Sequence, residues 1–362
     1  MEIRITEYVL MDRSLLIGPP GIGKTERVRQ LAEEEARRLG RTFVDLKDAD
    51  AALLDRVEAS PERFFAYTRI AAPHVFPEDL SYPRPRDGYV EAIPPRAFKV
   101  LSLRGIAGVL FVDELGNVQR DDQMAMYFTL MQEKEAAWVK LREEVFVVAA
   151  ANPPEWSPLA REVPAPLRNR LAVFRVLPPR VEEWVAYMDR TYGDAWDRRV
   201  AAYLAVFRED LLRPPREGEL ENFPTPRSWT RLALELPRTP PHLHGALCSA
   251  LVGREVGSRF HALLSARVDV RALLEGLERD PKSFGRLSAS ERALVVAALA
   301  QSSDEELLKR VGLLKLMAEE HREFLAALLS AIPRRRRVAL FSRPPLSEVA
   351  ERLAKEVGGY LA

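Results

Sequence analysis

Between residues 14 and 180, short apolar runs alternate with stretches whose apolar residues recur every three or four positions. The first run, SLLI (14–17), precedes a turn rich in Gly and Pro and reads as a buried central strand. After that turn Val28, Leu31, Ala32, Ala36 and Leu39 share one helical face, and Gly40 ends the helix. Four more runs predict strands: FFAYTRIAA (64–72), GVLFVDE (108–114), VFVVAAAN (145–152) and LAVFRV (171–176). Between the third and fourth strands, Met124, Tyr127, Phe128 and Met131 fall on one face of a helix. Strands separated by helices imply a parallel sheet, because parallel partners need crossover connections. Past Pro178 and Pro179 the pattern changes to helices alone, as in RVEEWVAYM, AWDRRVAAYLAVF and SWTRLALEL, broken at 214–227, 237–241 and 343–345. The expected fold is α/β: a five-stranded parallel sheet over residues 1–177, a helical domain over 178–268 and a further helical region over 269–362.

Composition narrows this picture. A chain of 362 residues suggests two or three domains, and 47% apolar residues can bury a sizeable core. A net charge of +1 argues against a nucleic-acid coat or an electrostatic membrane binder. One cysteine, Cys248, excludes an internal disulfide framework and a Cys-rich zinc site, and reads as a buried small residue on a helix. His242 and His244 lack a Cys or carboxylate cluster nearby and read as turn packing. The run RRRR (334–337) reads as a solvated helix end. The longest apolar runs fall far short of the ~20 residues needed to span a bilayer, and MEIRITEYVL has no signal-peptide pattern. A cytoplasmic protein without membrane insertion is the expectation.

Chemistry enters at residues 18–25, GPPGIGKT, which satisfy G-x-x-x-x-G-K-[ST] between a strand and a helix. Gly18, Pro19, Pro20, Gly21, Ile22 and Gly23 form a loop whose glycines let backbone N–H groups turn toward phosphate oxygens, and the helix beginning near Lys24 adds its positive end. Lys24 would reach the β- and γ-phosphates of ATP, and the Thr25 hydroxyl would supply an oxygen to Mg2+. Hydrolysis needs a second metal-orienting acid and a base. Asp113 and Glu114 stand at the C-terminal end of the third strand, where ligands of open parallel sheets sit. Asp113 would hold Mg2+ through water, and Glu114 would polarise the attacking water. Asn152, at the end of the fourth strand, is placed to orient water against the γ-phosphate.

The ordered set GPPGIGKT, EDL (78–80), LFVDEL, LMQE (130–133), AAANP, LRNRL and TPRSW resembles the AAA+ ATPases, most closely their MoxR-like branch, over residues 14–236. The resemblance implies a homo-oligomeric ring, commonly a hexamer, with ATP bound between neighbouring subunits. Asn152 then matches sensor 1, and Arg227 matches sensor 2, an arginine of a helical lid. Arg170 matches the finger that reaches the next subunit's nucleotide, with Arg168 competing for that role. It also implies a β-hairpin before sensor 1, compatible with the alternation Trp138, Lys140, Arg142. Residues 78–96 would form a loop facing the ring pore, where Tyr82 and Tyr89 could grip a partner.

The chain departs from the family in three places. Only thirteen residues precede the first expected strand, leaving Ile5, Tyr8 and Val9 as candidates for base contacts and ATP against GTP open. The acidic strand end reads DELGN, with Gly116 shifting Asn117 by one. Residues 42–62 read as a helix–turn insertion on the surface. The function implied is chaperone-like: ATP hydrolysis drives remodelling or activation of a separate partner protein, one with a von Willebrand factor A domain. The alternatives are a nucleic-acid motor or loader subunit and a nucleotide-controlled assembly switch with little turnover. The charge disfavours the first, and Glu114 argues against the second.

Overall fold

The five expected strands are all present in the computed structural model, which describes residues 2–342 and 344–349 apart from 137–138, 158–159, 216–221 and 266–269. Trp138, Arg343, Asp269 at the expected domain boundary and the chain end from 350 onward therefore lie outside the described residues. Chain contacts divide the protein into two units, Met1–Pro178 and Pro179–Ala362.

The first unit is built on a seven-stranded parallel sheet. Its strands are β1 (Glu2–Arg4), β2 (Ser14–Ile17), β3 (Thr42–Asp45), β4 (Phe64–Ala71), and, beyond a separate hairpin β5 (Tyr82–Arg86) and β6 (Tyr89–Ile93), β7 (Ala107–Asp113). A second small hairpin, β8 (Glu135–Ala136) and β9 (Val139–Lys140), precedes β10 (Val145–Ala151) and β11 (Ala172–Leu177). The order across the sheet is β1-β11-β2-β10-β7-β4-β3. Two of these strands were not expected. Thr42–Asp45 is not part of a surface insertion: it pairs with β4, and Val44, Leu46 and Val57 of the same segment are buried in the core. Glu2–Arg4 pairs with β11, so the first strand begins at the second residue, well before Ser14. Both are sheet-edge strands of three or four residues, too short and too polar to produce a buried-strand pattern.

Helices α1 (Lys24–Arg38), α2 (Ala51–Ala59), α3 (Arg96–Leu101), α4 (Asp121–Glu133) and α5 (Ala165–Arg168) complete this unit. The α1 stripe Val28, Leu31, Ala32 and Ala36 is buried, as its spacing predicts. Every residue of β7 is buried, which explains its continuous apolar run. Leu15, Leu110, Val112, Val147, Ala149, Tyr127 and Met131 share one cluster, and each fully buried large apolar side chain contributes about 1.5–3 kcal/mol. The hairpin β5–β6 fills the segment where prolines and Gly88 forbid helix, and its Tyr82, Tyr89 and Val90 are exposed. Of the base-contact candidates, Ile5 and Tyr8 are buried and Val9 is exposed; the Tyr8 hydroxyl lies 2.7 Å from Ser14 Oγ.

In the second unit the described residues form eleven α-helices: α6 (Val181–Tyr192), α7 (Arg199–Val206), α8 (Pro226–Glu235), α9 (His244–Val252), α10 (Arg254–Ser265), α11 (Val270–Arg279), α12 (Ala289–Gln301), α13 (Asp304–Lys309), α14 (Val311–Glu320), α15 (Arg322–Ala331) and α16 (Arg334–Phe341). They pack around two apolar clusters. One gathers Trp184, Met188, Trp196, Trp229, Cys248 and Phe260. The other gathers Phe284, Leu299, Leu314, Leu325 and Leu340. Helix α7 belongs to both, through Tyr203 and Leu204 on one side and Ala202 and Ala205 on the other. Asp210 is fully buried beside it, held by the Tyr203 hydroxyl and by Arg213 and Arg259 at 2.6 and 3.1 Å. The arginine run is solvated only in part: Arg335 is exposed, but Arg337 is buried and donates to Leu329 O at 2.7 Å, and Arg336 reaches Asp304 Oδ1 at 2.8 Å. No helix among the described residues is long and apolar enough to cross a membrane.

Candidate nucleotide-binding site

Three neighbouring strands of the sheet, β2, β10 and β7, end on the same side, and their C-terminal ends carry the residues singled out above. Strand β2 runs into the glycine loop. Gly18 is pinned there: its N–H donates to Ala151 O at 3.2 Å, and a Cβ at this position would stand 2.4 Å from Val176 O. Gly21 and Gly23 take φ of 72° and 100°, the left-handed region that only glycine enters without strain, and this turns the chain into α1. Gly23 caps that 15-residue helix, so the first-turn N–H groups and the helix dipole favour an anion at the loop.

Lys24 is buried and its ammonium is enclosed. Nζ donates to Gly18 O at 2.7 Å, to Pro19 O at 2.8 Å and to Asn152 Oδ1 at 2.8 Å. The contact with Asn152, 128 positions away, ties the loop to the end of β10. Next to it, the Thr25 hydroxyl donates to Asp113 Oδ2 at 2.8 Å. Two oxygens at that separation match the edge of an octahedron with metal–oxygen distances of about 2.0–2.1 Å, so the pair fits Mg2+. The lysine, the loop N–H groups and this oxygen pair together fit the phosphates of a nucleotide with its metal.

Asp113 is held rigidly. Its Oδ1 accepts the Glu114 N–H at 2.9 Å. Its Oδ2 also accepts from Arg69 Nε at 2.9 Å, and Arg69 Nη2 stands in ion-pair contact with it at 2.9 Å. Glu114 has φ 59°, a strained conformation for a residue with a side chain, costing about 1–2 kcal/mol. Strain of that kind persists where surrounding contacts hold it. Despite the one-residue shift, Asn117 Nδ2 still reaches Glu114 Oε2 at 3.4 Å, while the buried Asn117 Oδ1 has no hydrogen-bond partner among the described residues.

The structure thus brings together Gly18 to Thr25, Asp113, Glu114 and Asn152. Within the same unit it does not join Arg168 or Arg170 to them. Arg170 is exposed and donates to Gln132 Oε1 at 2.5 Å, and Arg168 lies 3.9 Å from Glu162. Arg227 is exposed on the first turn of α8 in the second unit, whose N-cap Thr225 accepts from the Ser228 N–H at 3.1 Å. Sequence reasoning missed Arg69. The register shows what would have found it: Ala71 pairs with Asp113 and Arg69 with Phe111, so Arg69 and Asp113 share a face of the sheet.

The fold is that of an AAA+ P-loop domain, an α/β unit followed by a helical region. Residues 14–178 match the family described as ATPase family associated with various cellular activities (AAA). Among solved structures the chain is similar to the RuvB Holliday junction branch migration motor of Thermotoga maritima (15% identity, 87% of this chain and 80% of that chain, TM-score 0.32). It is also similar to Hsp104 in a closed state with ATPγS and FITC casein (16%, 84% and 47%, TM-score 0.35). A third is the ORC2 protein of Aeropyrum pernix in ADPNP–ADP complexes (12%, 97% and 91%, TM-score 0.32). These global scores are low, so the family match over residues 14–178 is the likeness that bears on the site. No curated protein matches the chain.

Proposed function

We propose that this chain hydrolyses ATP with Mg2+, assembles as a hexameric ring and uses the cycle to remodel or activate a separate protein. The convergence of Lys24, Thr25, Asp113, Glu114 and Asn152 on the glycine loop supports this reading most directly. Lys24 would neutralise phosphate charge, and Asn152 would keep the lysine in place. Thr25 and Asp113 would hold Mg2+, which supplies charge neutralisation when bound. Glu114, aimed by its strained backbone and by Asn117, would polarise the attacking water.

Arg170, or Arg168 in its place, would complete the site of the adjacent subunit, and Arg227 would report nucleotide state from a lid over residues 178–268. The exposed sites of Arg170 and Arg227 accord with contacts made outside their own unit. The partner, on the resemblance to the MoxR-like branch, would carry a von Willebrand factor A domain.

The test is ATPase rate per subunit against protein concentration, for wild type and Arg170→Ala, alone and mixed. A wild-type rate that climbs with concentration, with a mutant that stays flat yet binds ATP, is expected. A rate indifferent to both concentration and Arg170 overturns the shared site. Glu114→Gln should bind ATP and turn over at least about a hundredfold more slowly; wild-type turnover there removes Glu114 from the mechanism.

A further inference from the structure

Asp113 Oδ2, the oxygen that faces Thr25, has no open lone pair. Oδ1 takes the Glu114 N–H, and two donors fill Oδ2, the Thr25 hydroxyl at 2.8 Å and Arg69 Nε at 2.9 Å, with Nη2 of the same guanidinium in ion-pair contact at 2.9 Å. A carboxylate oxygen offers about two lone-pair sites, so Oδ2 is saturated. A metal ion, or a water bound to one, can reach this oxygen only if a donor leaves. Thr25 is anchored in the first turn of α1, and its oxygen would itself face the metal. Arg69 is the donor with somewhere else to go. Its side chain is 41% exposed at the end of β4, and among the described residues its guanidinium bonds Asp113 alone. The carboxylate, by contrast, is buried on a strand with every residue buried, and a buried carboxylate needs a positive partner.

We propose that Arg69 is the internal counter-ion of the metal seat. Its guanidinium neutralises Asp113 while no divalent cation is bound and yields the carboxylate when Mg2+ enters with nucleotide. Arg69 is thus a positioning residue that competes with the metal, and Mg2+ uptake sets an arginine free beside the phosphate loop. This rests on the reading of Thr25 and Asp113 as metal ligands.

The experiment follows a fluorescent ADP analogue binding to the full chain across a Mg2+ titration, for wild type, Arg69→Gln and Arg69→Lys. Thermal unfolding in chelator is measured alongside. Arg69→Gln should need about fivefold less Mg2+ for half-maximal tightening, the worth of one partly exposed ion pair. Arg69→Lys keeps the charge with a single ammonium in place of the two-pronged fork, and should fall between the other two. In chelator Arg69→Gln should melt below wild type, and the gap should close with Mg2+ and ADP. If Arg69→Gln does not fold, a lowered Mg2+ requirement in Arg69→Lys still carries the test. Mg2+-dependent binding with an unchanged or raised requirement in both variants overturns the role of Arg69 alone. Wild-type binding that ignores Mg2+ overturns the metal seat itself and this proposal with it.

Discussion

Gly18→Ala isolates the steric logic of the phosphate loop. The φ of Gly18 is not in the left-handed region, so alanine meets no backbone penalty there. The obstacle is space. The new methyl would lie 2.4 Å from Val176 O, 2.6 Å from Val176 Cγ2 and 3.2 Å from Ile22 Cδ1. Val176 O belongs to main chain fixed in the sheet between β1 and β2, so the loop must give way. Bringing the first contact to 3.0 Å needs a shift of about 0.6 Å. The same shift stretches the Gly18 N–H bond to Ala151 O, already 3.2 Å, beyond hydrogen-bond reach, and displaces the carbonyl that accepts Lys24. Overpacking of this size costs about 1–3 kcal/mol and a lost hydrogen bond about 1 kcal/mol more. The expected result is a destabilisation of about 2–4 kcal/mol in urea unfolding and at least about tenfold weaker binding of a fluorescent ATP analogue. Gly40→Ala is the control. Gly40 has φ 66° with no atom near its absent Cβ, so alanine there should cost about 1 kcal/mol of stability and leave nucleotide affinity unchanged. Nucleotide affinity within about twofold of wild type in Gly18→Ala, with an unchanged unfolding midpoint, would refute the claim that contact with Val176 sets the loop.

Two further outcomes follow from buried polar groups. The Lys134 side chain is fully buried, its ammonium 2.8 Å from Asp12 Oδ2, while Asp12 Oδ1 accepts the Val147 N–H at 2.9 Å. Asp12→Ala should cost about 3 kcal/mol in equilibrium unfolding, and the double variant with Lys134→Met should lose less than the two singles summed; strict additivity would show that the pair is not coupled. In the second unit, burial pushes the Cys248 thiol up to about 12, so at pH 8 it should resist maleimide until that unit opens. The sign follows: an unfolded thiol loses its proton near 9.0 and the folded one does not, so this group's contribution to stability falls as pH rises through that interval. Rapid labelling of the native protein at pH 8 would contradict it.

How much was legible depends on how each feature is encoded. Strands buried on both faces, such as β7 and β10, announce themselves as unbroken apolar runs, and the glycine loop is a local pattern between a strand and a helix. Strands β1 and β3 at the sheet edges pair on one side only and carry Glu2, Arg4, Thr42 and Asp45, so no short-range pattern separates them from loops. Arg69 was invisible for a different reason: its partner lies 44 positions away, and only the β4–β7 register brings them together. The arginine run at 334–337 misleads because sequence records charge but not open carbonyls. Arg336 and Arg337 donate to Ala300 O at 3.2 Å and to Leu329 O at 2.7 Å, near the ends of α12 and α15, where helix carbonyls lack partners of their own.

The charged side chains of the candidate site, Lys24 and Asp113, are already hydrogen-bonded within the protein, and this shapes what binding must do. Lys24 already donates to two loop carbonyls and Asn152, and Asp113 already accepts from Thr25, Arg69 and the Glu114 backbone. A nucleotide would therefore exchange hydrogen bonds at Lys24 while meeting the open N–H groups of the loop and α1, and its net affinity would be the small difference between strong terms. The exchange has two separable parts. Phosphate alone has to draw Lys24 off Gly18, Pro19 and Asn152, a step that leaves Asp113 and Arg69 undisturbed. On the proposed metal seat, a phosphate–metal pair would have to take Asp113 from Arg69 as well, replacing a monovalent guanidinium by a divalent cation on the same carboxylate. On that reading the charge of the incoming group would decide how far the site rearranges, and Asn152, at the end of β10, would be coupled to the first step through Lys24 but not to the second.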